Sequence, residues 1–131
     1  MASEGRISGA QGNLRRAIRL YEEGNLEEDL AFLMLAKAFE VLVEYAWKEL
    51  KRKVEDEGLD APSPKEAVRK AARLKMIEGP EKWIDCINAR NDSVHDYFSI
   101  PREDYLSLAK EFLILAERVE IKEIKDTHNS I

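Results

Sequence analysis

The chain has 131 residues, of which 44% are hydrophobic and 36% charged, which suits one globular domain and excludes a disordered chain. No apolar run reaches the length of about 20 residues that a membrane-spanning helix needs, so no membrane association is expected. The first ten residues lack the apolar segment of a secretory leader. A single cysteine, Cys86, excludes a disulfide framework and a clustered-cysteine zinc site, and it favours a reducing cytoplasm.

The charge balance is mildly acidic, with 21 basic and 26 acidic residues and a net charge of -5. This balance weighs against avid, nonspecific coating of nucleic acid, although it leaves room for a local basic patch. The 6 glycines and 4 prolines provide few positions for tight turns. Because sheets need many turns, a mostly helical fold is favoured.

The first predicted helix follows a glycine-rich start. Residues 1–12 hold three glycines and little periodicity, so they are predicted to form a flexible lead-in. Asn13 is predicted to cap a helix that runs to Glu23 and ends before Gly24.

The second predicted helix is long, from Leu26 to about Glu57, and is capped by Asn25. Its apolar residues recur at spacings of three and four over a wide stripe, which is typical of a central helix with several neighbours. Met34 and Trp47 fall on this stripe and are predicted to be core residues.

The third predicted helix begins at Ser63, a cap followed directly by a proline, and runs to about Ile77. A fourth helix begins near Glu81 and passes into a less regular stretch at 95–100. Pro101 is predicted to open a fifth helix that ends near residue 125.

The whole pattern predicts an all-α, up-and-down bundle of four to five helices in one domain over residues 13–125, with a frayed tail at 126–131.

The densest group of reactive side chains lies at the end of the fourth predicted helix. Arg90 carries a fixed positive charge that can stabilise a phosphate, and His95 can act as a general base near neutral pH. Tyr97 offers a hydroxyl that can be modified. These are the groups needed to cut RNA by attack of its own 2′-hydroxyl. The segment reads Arg90, Asn91, Asp92, Ser93, Val94, His95, Asp96, Tyr97.

The spacing complicates the chemistry, because Arg90 and His95 lie about 140° apart on an ideal helix. Either the helix breaks before His95, or two copies of the motif meet across a dimer axis. A purely structural role is equally compatible with the residues, with Arg90 paired to Asp96 or another acid and His95 at a helix end.

The third predicted helix is locally basic and could contact a phosphate backbone through Arg69 and Arg73, which share one face. A run of charge is more often a solvated helix face, and that alternative stays open. The positive residues are Lys65, Arg69, Lys70, Arg73 and Lys75, against Glu66 and Glu78.

The remaining candidates are weaker. Cys86 is expected to be a structural core thiol, and His128 a solvated side chain in the tail. A metal at His95 would need Asp92 or Asp96 as a second ligand, and no His-x-x-x-His or Glu-x-x-His pattern is present, so neither a metal nor another cofactor is expected. Glu40 and Glu44 of the second helix could act as acid or base, although helical carboxylates usually form surface ion pairs.

The motif Arg-Asn-x-x-x-His-x-Tyr over residues 90–97 resembles that of the HEPN superfamily. The chain is similar to the branch described as nucleotidyltransferase substrate-binding proteins or HepT-like toxins. The likeness rests on Arg90, Asn91, His95 and Tyr97 and on an independent segment of the second predicted helix. It extends over roughly residues 14–120. The supporting residues outside the motif are Phe39, Glu40, Glu44, Ala46, Trp47, Lys48, Ser63, Pro64, Arg69, Ala71 and Trp83.

The resemblance implies a homodimer with the arginine and histidine of both subunits lining an interfacial cleft. It implies metal-independent RNA cleavage, with Arg90 stabilising phosphate charge, His95 as general acid and base, and Asn91 as a polar support. It also implies a minimal nucleotidyltransferase antitoxin as partner, which transfers AMP to Tyr97.

Two other functions compete with a ribonuclease toxin. One is a non-catalytic subunit that presents a substrate to a separate nucleotidyltransferase, which the weak basicity favours. The other is a helical dimerisation protein in which the motif is structural.

Overall fold

The structure is a computed structural model that describes the backbone of residues 2–129 and the side chains of residues 5–119. Within that part the helix is the only regular secondary structure, which confirms the predicted all-α class. The five helices are α1 (Ala2–Glu23), α2 (Glu28–Asp56), α3 (Pro64–Arg73), α4 (Pro80–His95) and α5 (Arg102–Asn129).

Helix α2 is the centre of the bundle and packs against the four other helices; around it, α1 contacts α5, α5 contacts α4, and α4 contacts α3. This arrangement explains the wide apolar stripe of α2. Aromatic rings join α2, α4 and α5 in the core: the Phe112 ring lies 5.0 Å from that of Trp83 and 6.0 Å from that of Phe39, both edge to face.

Helix α1 begins eleven residues before the predicted cap at Asn13, so the lead-in predicted over residues 1–12 is helical from Ala2 onward. Ile7 and Ala10 are buried in the same core cluster as Leu14, at the helical spacing of three and four residues. The glycines lower the local helix propensity, but burial against the rest of the bundle compensates for it. Helix α1 does end at Glu23 as predicted, before Gly24 with its φ of +71°.

The start of α2 differs from the prediction in its capping residue. Glu27, not Asn25, caps the helix, because its carboxylate accepts the backbone N–H groups of Asp29 at 3.1 Å and Leu30 at 3.3 Å. A negative charge also suits the positive end of the helix dipole.

The cap of α3 agrees with the sequence, since Ser63 Oγ accepts the N–H of Glu66 at 3.3 Å and Pro64 is the first helical residue. The helix ends at Arg73, short of the predicted Ile77. Lys75 adopts a left-handed φ of +63°, and the Met76 N–H returns to the Ala71 carbonyl at 2.9 Å, which closes the helix.

At the other end of the chain, the α5 backbone stays helical to Asn129 and takes in most of the tail predicted to fray. Residues 130 and 131, and the side chain of His128, lie outside the described residues. No described helix is both long and apolar enough to cross a lipid bilayer.

The prediction that Met34 is a core residue is wrong. Met34 is 39% exposed, and its α2 neighbours Leu30 and Leu33 are also exposed, at 53% and 38%. Met34 and Leu33 line a groove of about 470 Å³ between α1 and α2, with Arg16 and Lys37 at its edges. Periodicity assigned these residues to one apolar face, but no helix within the described residues covers it.

Candidate functional site

The predicted motif lies at the C-terminal end of α4, where the helix packs on α2. Helix α4 is continuous from Pro80 to His95, which excludes the first of the two alternatives, a break in the helix before His95. Arg90 and His95 therefore stay about 140° apart around one helix. Pairing of two motif copies across a dimer axis, the other alternative, stays a prediction.

Arg90 forms an ion pair with Glu44 of α2, with 2.9 Å between its Nη2 and Oε2. Of the acids that the sequence left open as its ion-pair partner, Arg90 thus takes Glu44 of another helix and not Asp96. Both side chains are about three-tenths exposed, at 30% and 29%, so the pair lies at the rim of the bundle and not in its core. Arg90 Nη1 donates to Asn91 Oδ1 at 3.1 Å, and the role of the exposed Asn91 as a polar support of the site stays a prediction.

Glu44 accepts from two further donors on its own helix. Lys48 Nζ lies 3.0 Å from Oε1, and the indole Nε1 of Trp47 donates to Oε2 at 3.2 Å. Burial by itself raises the pKa of Glu44, but the bonds from Lys48 and Trp47 and the charge of Arg90 outweigh it and hold the pKa below its ordinary value of 4.5. Glu44 is therefore ionised at neutral pH.

A second, buried set of polar contacts lies behind the motif. Ser93 donates to the Arg90 carbonyl at 3.0 Å and lies 3.4 Å from the carboxylate of Glu40, which is only 9% exposed. The Tyr105 hydroxyl of α5 lies 3.2 Å from Ser93 Oγ and 3.4 Å from the Ala36 carbonyl oxygen. These contacts link α2, α4 and α5 directly beneath Arg90.

Sequence reasoning did not identify Ser93 or Tyr105 as part of this arrangement. Tyr105 is buried, and burial raises the pKa of its hydroxyl well above the ordinary value. A serine three residues after Arg90 on the helix face that packs on α2 is the pattern that could have revealed the polar contact.

His95 is the last residue of α4 and is exposed. Among the side chains of residues 5–119 it makes no hydrogen bond or ion pair, and none joins it to Arg90. The structure therefore does not assemble the two predicted catalytic residues within one subunit, and their shared role stays a prediction.

Tyr97 is half-buried in the turn between α4 and α5. Asp96 orders that turn, since its carboxylate accepts the Phe98 N–H at 3.0 Å. Arg102 then ties the turn to α2: its guanidinium lies 4.8 Å from the Phe32 ring centroid and 5.5 Å from that of Phe98. Arg102 also pairs with Asp29 at 2.6 Å. The backbone on both sides of Tyr97 is thus held in place.

The remaining candidates lie apart from this arrangement. Arg69 and Arg73 are exposed on α3, where Arg69 lies 3.8 Å from Glu66 in a loose ion pair, and RNA contact there stays a prediction. Cys86 is fully buried, and burial raises the pKa of its thiol to about 12. No group of three metal-ligating side chains occurs among the described residues.

Comparison with known families decides the relationship. The chain matches the family described as nucleotidyltransferase substrate binding protein like, over residues 6–122. The chain belongs to this family. The match spans all five helices and includes both Glu44 and the motif of α4.

A solved structure shares the fold of this nucleotidyltransferase substrate-binding-like protein. It is a Haemophilus influenzae protein described as revealing the fold of a substrate-binding domain of a nucleotidyltransferase. The TM-score is 0.77 at 19% sequence identity, with 91% of this chain and 97% of that chain covered. A search of curated protein sequences finds no match.

Proposed function

We propose that this chain is the substrate-binding subunit of a two-component nucleotidyltransferase, whose catalytic domain is a separate protein. Membership of the substrate-binding family over residues 6–122 is the observation that carries this proposal. The chain brings a helical bundle with a polar site at one end, and the partner would supply the nucleotidyl-transfer chemistry.

The geometry around Arg90 supports binding better than catalysis. Its guanidinium is engaged by Glu44, and His95 makes no contact with it. A base and a cation that do not meet within one subunit are poorly placed to cleave a phosphodiester by themselves. A guanidinium at a solvent-accessible rim is well suited to orient an anionic substrate for another protein.

Isothermal titration tests this function. The purified chain is titrated with a minimal nucleotidyltransferase from the same organism, and then with nucleotides in the presence and absence of that partner. We expect a saturable complex with the partner and binding of a small substrate, without RNA cleavage. The proposal would be refuted if the chain bound neither the nucleotidyltransferase nor a nucleotide.

The second candidate is a HEPN ribonuclease toxin of the HepT branch, neutralised when a cognate minimal nucleotidyltransferase transfers AMP to Tyr97. The exposed His95, with its side chain unengaged among the described residues, favours it, because a general base must be accessible. Such an enzyme would be a homodimer, in which each centre draws Arg90 and His95 from two motif copies.

An RNA-cleavage assay in excess chelator separates the two functions. Wild-type protein made without a partner, with Tyr97 shown by mass to be unmodified, is compared with His95→Ala, and light scattering gives the oligomeric state. Cleavage by a wild-type dimer that is lost in His95→Ala would establish the toxin. Intact RNA with both proteins would leave the binding subunit as the function.

A further inference from the structure

The guanidinium of Arg90 is reachable from solvent and incompletely satisfied. Its Nη2 is held by Glu44 and its Nη1 by Asn91, while its Nε is buried without a hydrogen-bond partner among the described residues. A buried donor without a partner is uncommon and costs free energy. The Nε of Arg90 can therefore still donate a hydrogen bond, next to the Nη2 that already donates to Glu44.

Glu44 does not depend on Arg90 for its partners. If Arg90 turned away, the carboxylate would keep the Lys48 ammonium at 3.0 Å and the Trp47 indole at 3.2 Å. Breaking one ion pair normally leaves a charge unpaired, which is what makes buried pairs costly to separate. Here Lys48 and Trp47 on α2 stay bonded to Glu44 and remove most of that cost. Arg90 can therefore exchange Glu44 for another anion.

The charge around Arg90 limits what could replace Glu44. From residue 85 to residue 96, α4 and its cap carry Asp85, Asp92 and Asp96, with Arg90 as the one fixed cation. On α2, the buried Glu40 adds a further acid, and Lys48, which pairs with Glu44, adds one more cation. A polyanion needs several cations along its backbone, so this surface disfavours RNA. A small ligand with one accessible phosphoryl group needs only one guanidinium fork.

We propose that the Glu44 carboxylate occupies Arg90 in place of a phosphoryl group, and that a small phosphorylated ligand binds by displacing it. Glu44 then stays with Lys48 and Trp47, while Arg90 turns away from it and offers its Nη2 and Nε, the latter buried in the unliganded protein, to the ligand. The inference rests on the proposed function and assigns its substrate a phosphoryl group. Glu44 thus lowers the affinity of the site and excludes anions too weak to displace it.

The test uses pyrophosphate as the probe at low ionic strength, with binding followed through the indole N–H resonance of Trp47. Trp83 is buried in the core and provides the internal reference. Glu44→Gln keeps the size of the side chain and removes its charge, so we expect pyrophosphate to bind about three- to tenfold more tightly than to wild type. Arg90→Gln should lose binding.

Glu55→Gln is the matched control, because Glu55 also belongs to an i,i+4 ion pair on α2, with Lys51 at 2.9 Å, and is not bonded to Arg90. It lowers the negative charge of the protein by the same amount and should leave the affinity unchanged. Should Glu44→Gln fold poorly, Glu44→Asp keeps the charge and shortens the reach towards Arg90, and it should also bind more tightly.

Equal affinity of wild type, Glu44→Gln and Glu55→Gln, or no binding by any of them, would overturn the inference. A gain in affinity for a single-stranded RNA 12-mer but not for pyrophosphate would overturn the small-ligand class. Titration with the nucleotidyltransferase partner is run on the same proteins. If the partner binds while Glu44→Gln has no effect, only the displacement is wrong and the proposed function stands.

Discussion

The hydroxyl of Tyr105 lies 3.2 Å from Ser93 Oγ, and this contact connects α5 to the turn of α4 that carries Arg90. Ser93 in turn bonds the Arg90 carbonyl, so the backbone of the site is fixed from beneath by a hydroxyl of another helix. Only Arg90's guanidinium is left to exchange partners.

Tyr105→Phe should destabilise the protein by about 1 kcal/mol, since it removes one buried hydrogen-bonding group and leaves the ring in place. Urea unfolding followed by circular dichroism measures the change. Tyr45→Phe on α2 serves as the control, because the half-buried Tyr45 makes no side-chain hydrogen bond within the described residues, and its effect should be near zero. Equal effects of the two substitutions would show that the Ser93 contact contributes nothing.

Arg90→Ala and His95→Ala should differ in stability. Arg90→Ala removes a half-buried ion pair and should cost about 0.5–1 kcal/mol, whereas the exposed His95 should change the free energy of unfolding by less than about 0.5 kcal/mol. Thermal melts of both variants provide the measurement. A large loss with His95→Ala would favour a structural role for the whole motif.

The stability difference between wild type and Glu44→Gln should depend on pH. The pKa of Glu44 is lower in the folded protein than in the unfolded chain, so its contribution is fully present above the unfolded value of about 4.5. It should disappear as the pH falls through the lower folded pKa. Urea unfolding of both proteins at pH 7, 5, 4 and 3 tests this, and a difference that grows towards acid would contradict it.

Cys86 should be unreactive in the native protein. The thiol is fully buried and its pKa is raised to about 12, chiefly by burial, so almost no thiolate exists at pH 8. A chromogenic disulfide reagent should react fully in denaturant and only at the rate of global opening without it. Rapid labelling of the folded protein would place Cys86 at the surface.

Ile7→Ala should destabilise the protein by about 2 kcal/mol, because Ile7 is 2% exposed and the substitution leaves a cavity in the core. Gln11, which is also buried on this face of α1, keeps its side chain in the Ile7→Ala variant. Ser8→Ala on the exposed face of α1 is the control and should have little effect. If Ile7→Ala is as stable as wild type, the first turns of α1 contribute nothing to the core.

The sequence predicted most helix ends well, because they depend on local chemistry. The Ser63 cap with Pro64, and the stop at Gly24 with its positive φ angle, need only neighbouring residues to act. It missed the beginning of α1 for the opposite reason. There the local propensity is poor, and the helix is stabilised by the burial of Ile7 against other helices.

For the candidate site, too, some features follow from the sequence alone and others depend on the packing of the helices. The sequence by itself determined the all-helical class, the motif at the end of α4 and the presence of Arg90, His95 and Tyr97 together on one segment. It left the partner of Arg90 open between several acids, because a charged side chain can reach any of them until the helices are packed.

Only the tertiary structure decided that Glu44, 46 residues earlier, takes Arg90, and that Met34 stays exposed on an uncovered part of α2. Periodicity shows which side of a helix is apolar or charged, since it follows from 3.6 residues per turn. What lies against that side depends on how the other helices pack, and this is a property of the whole fold.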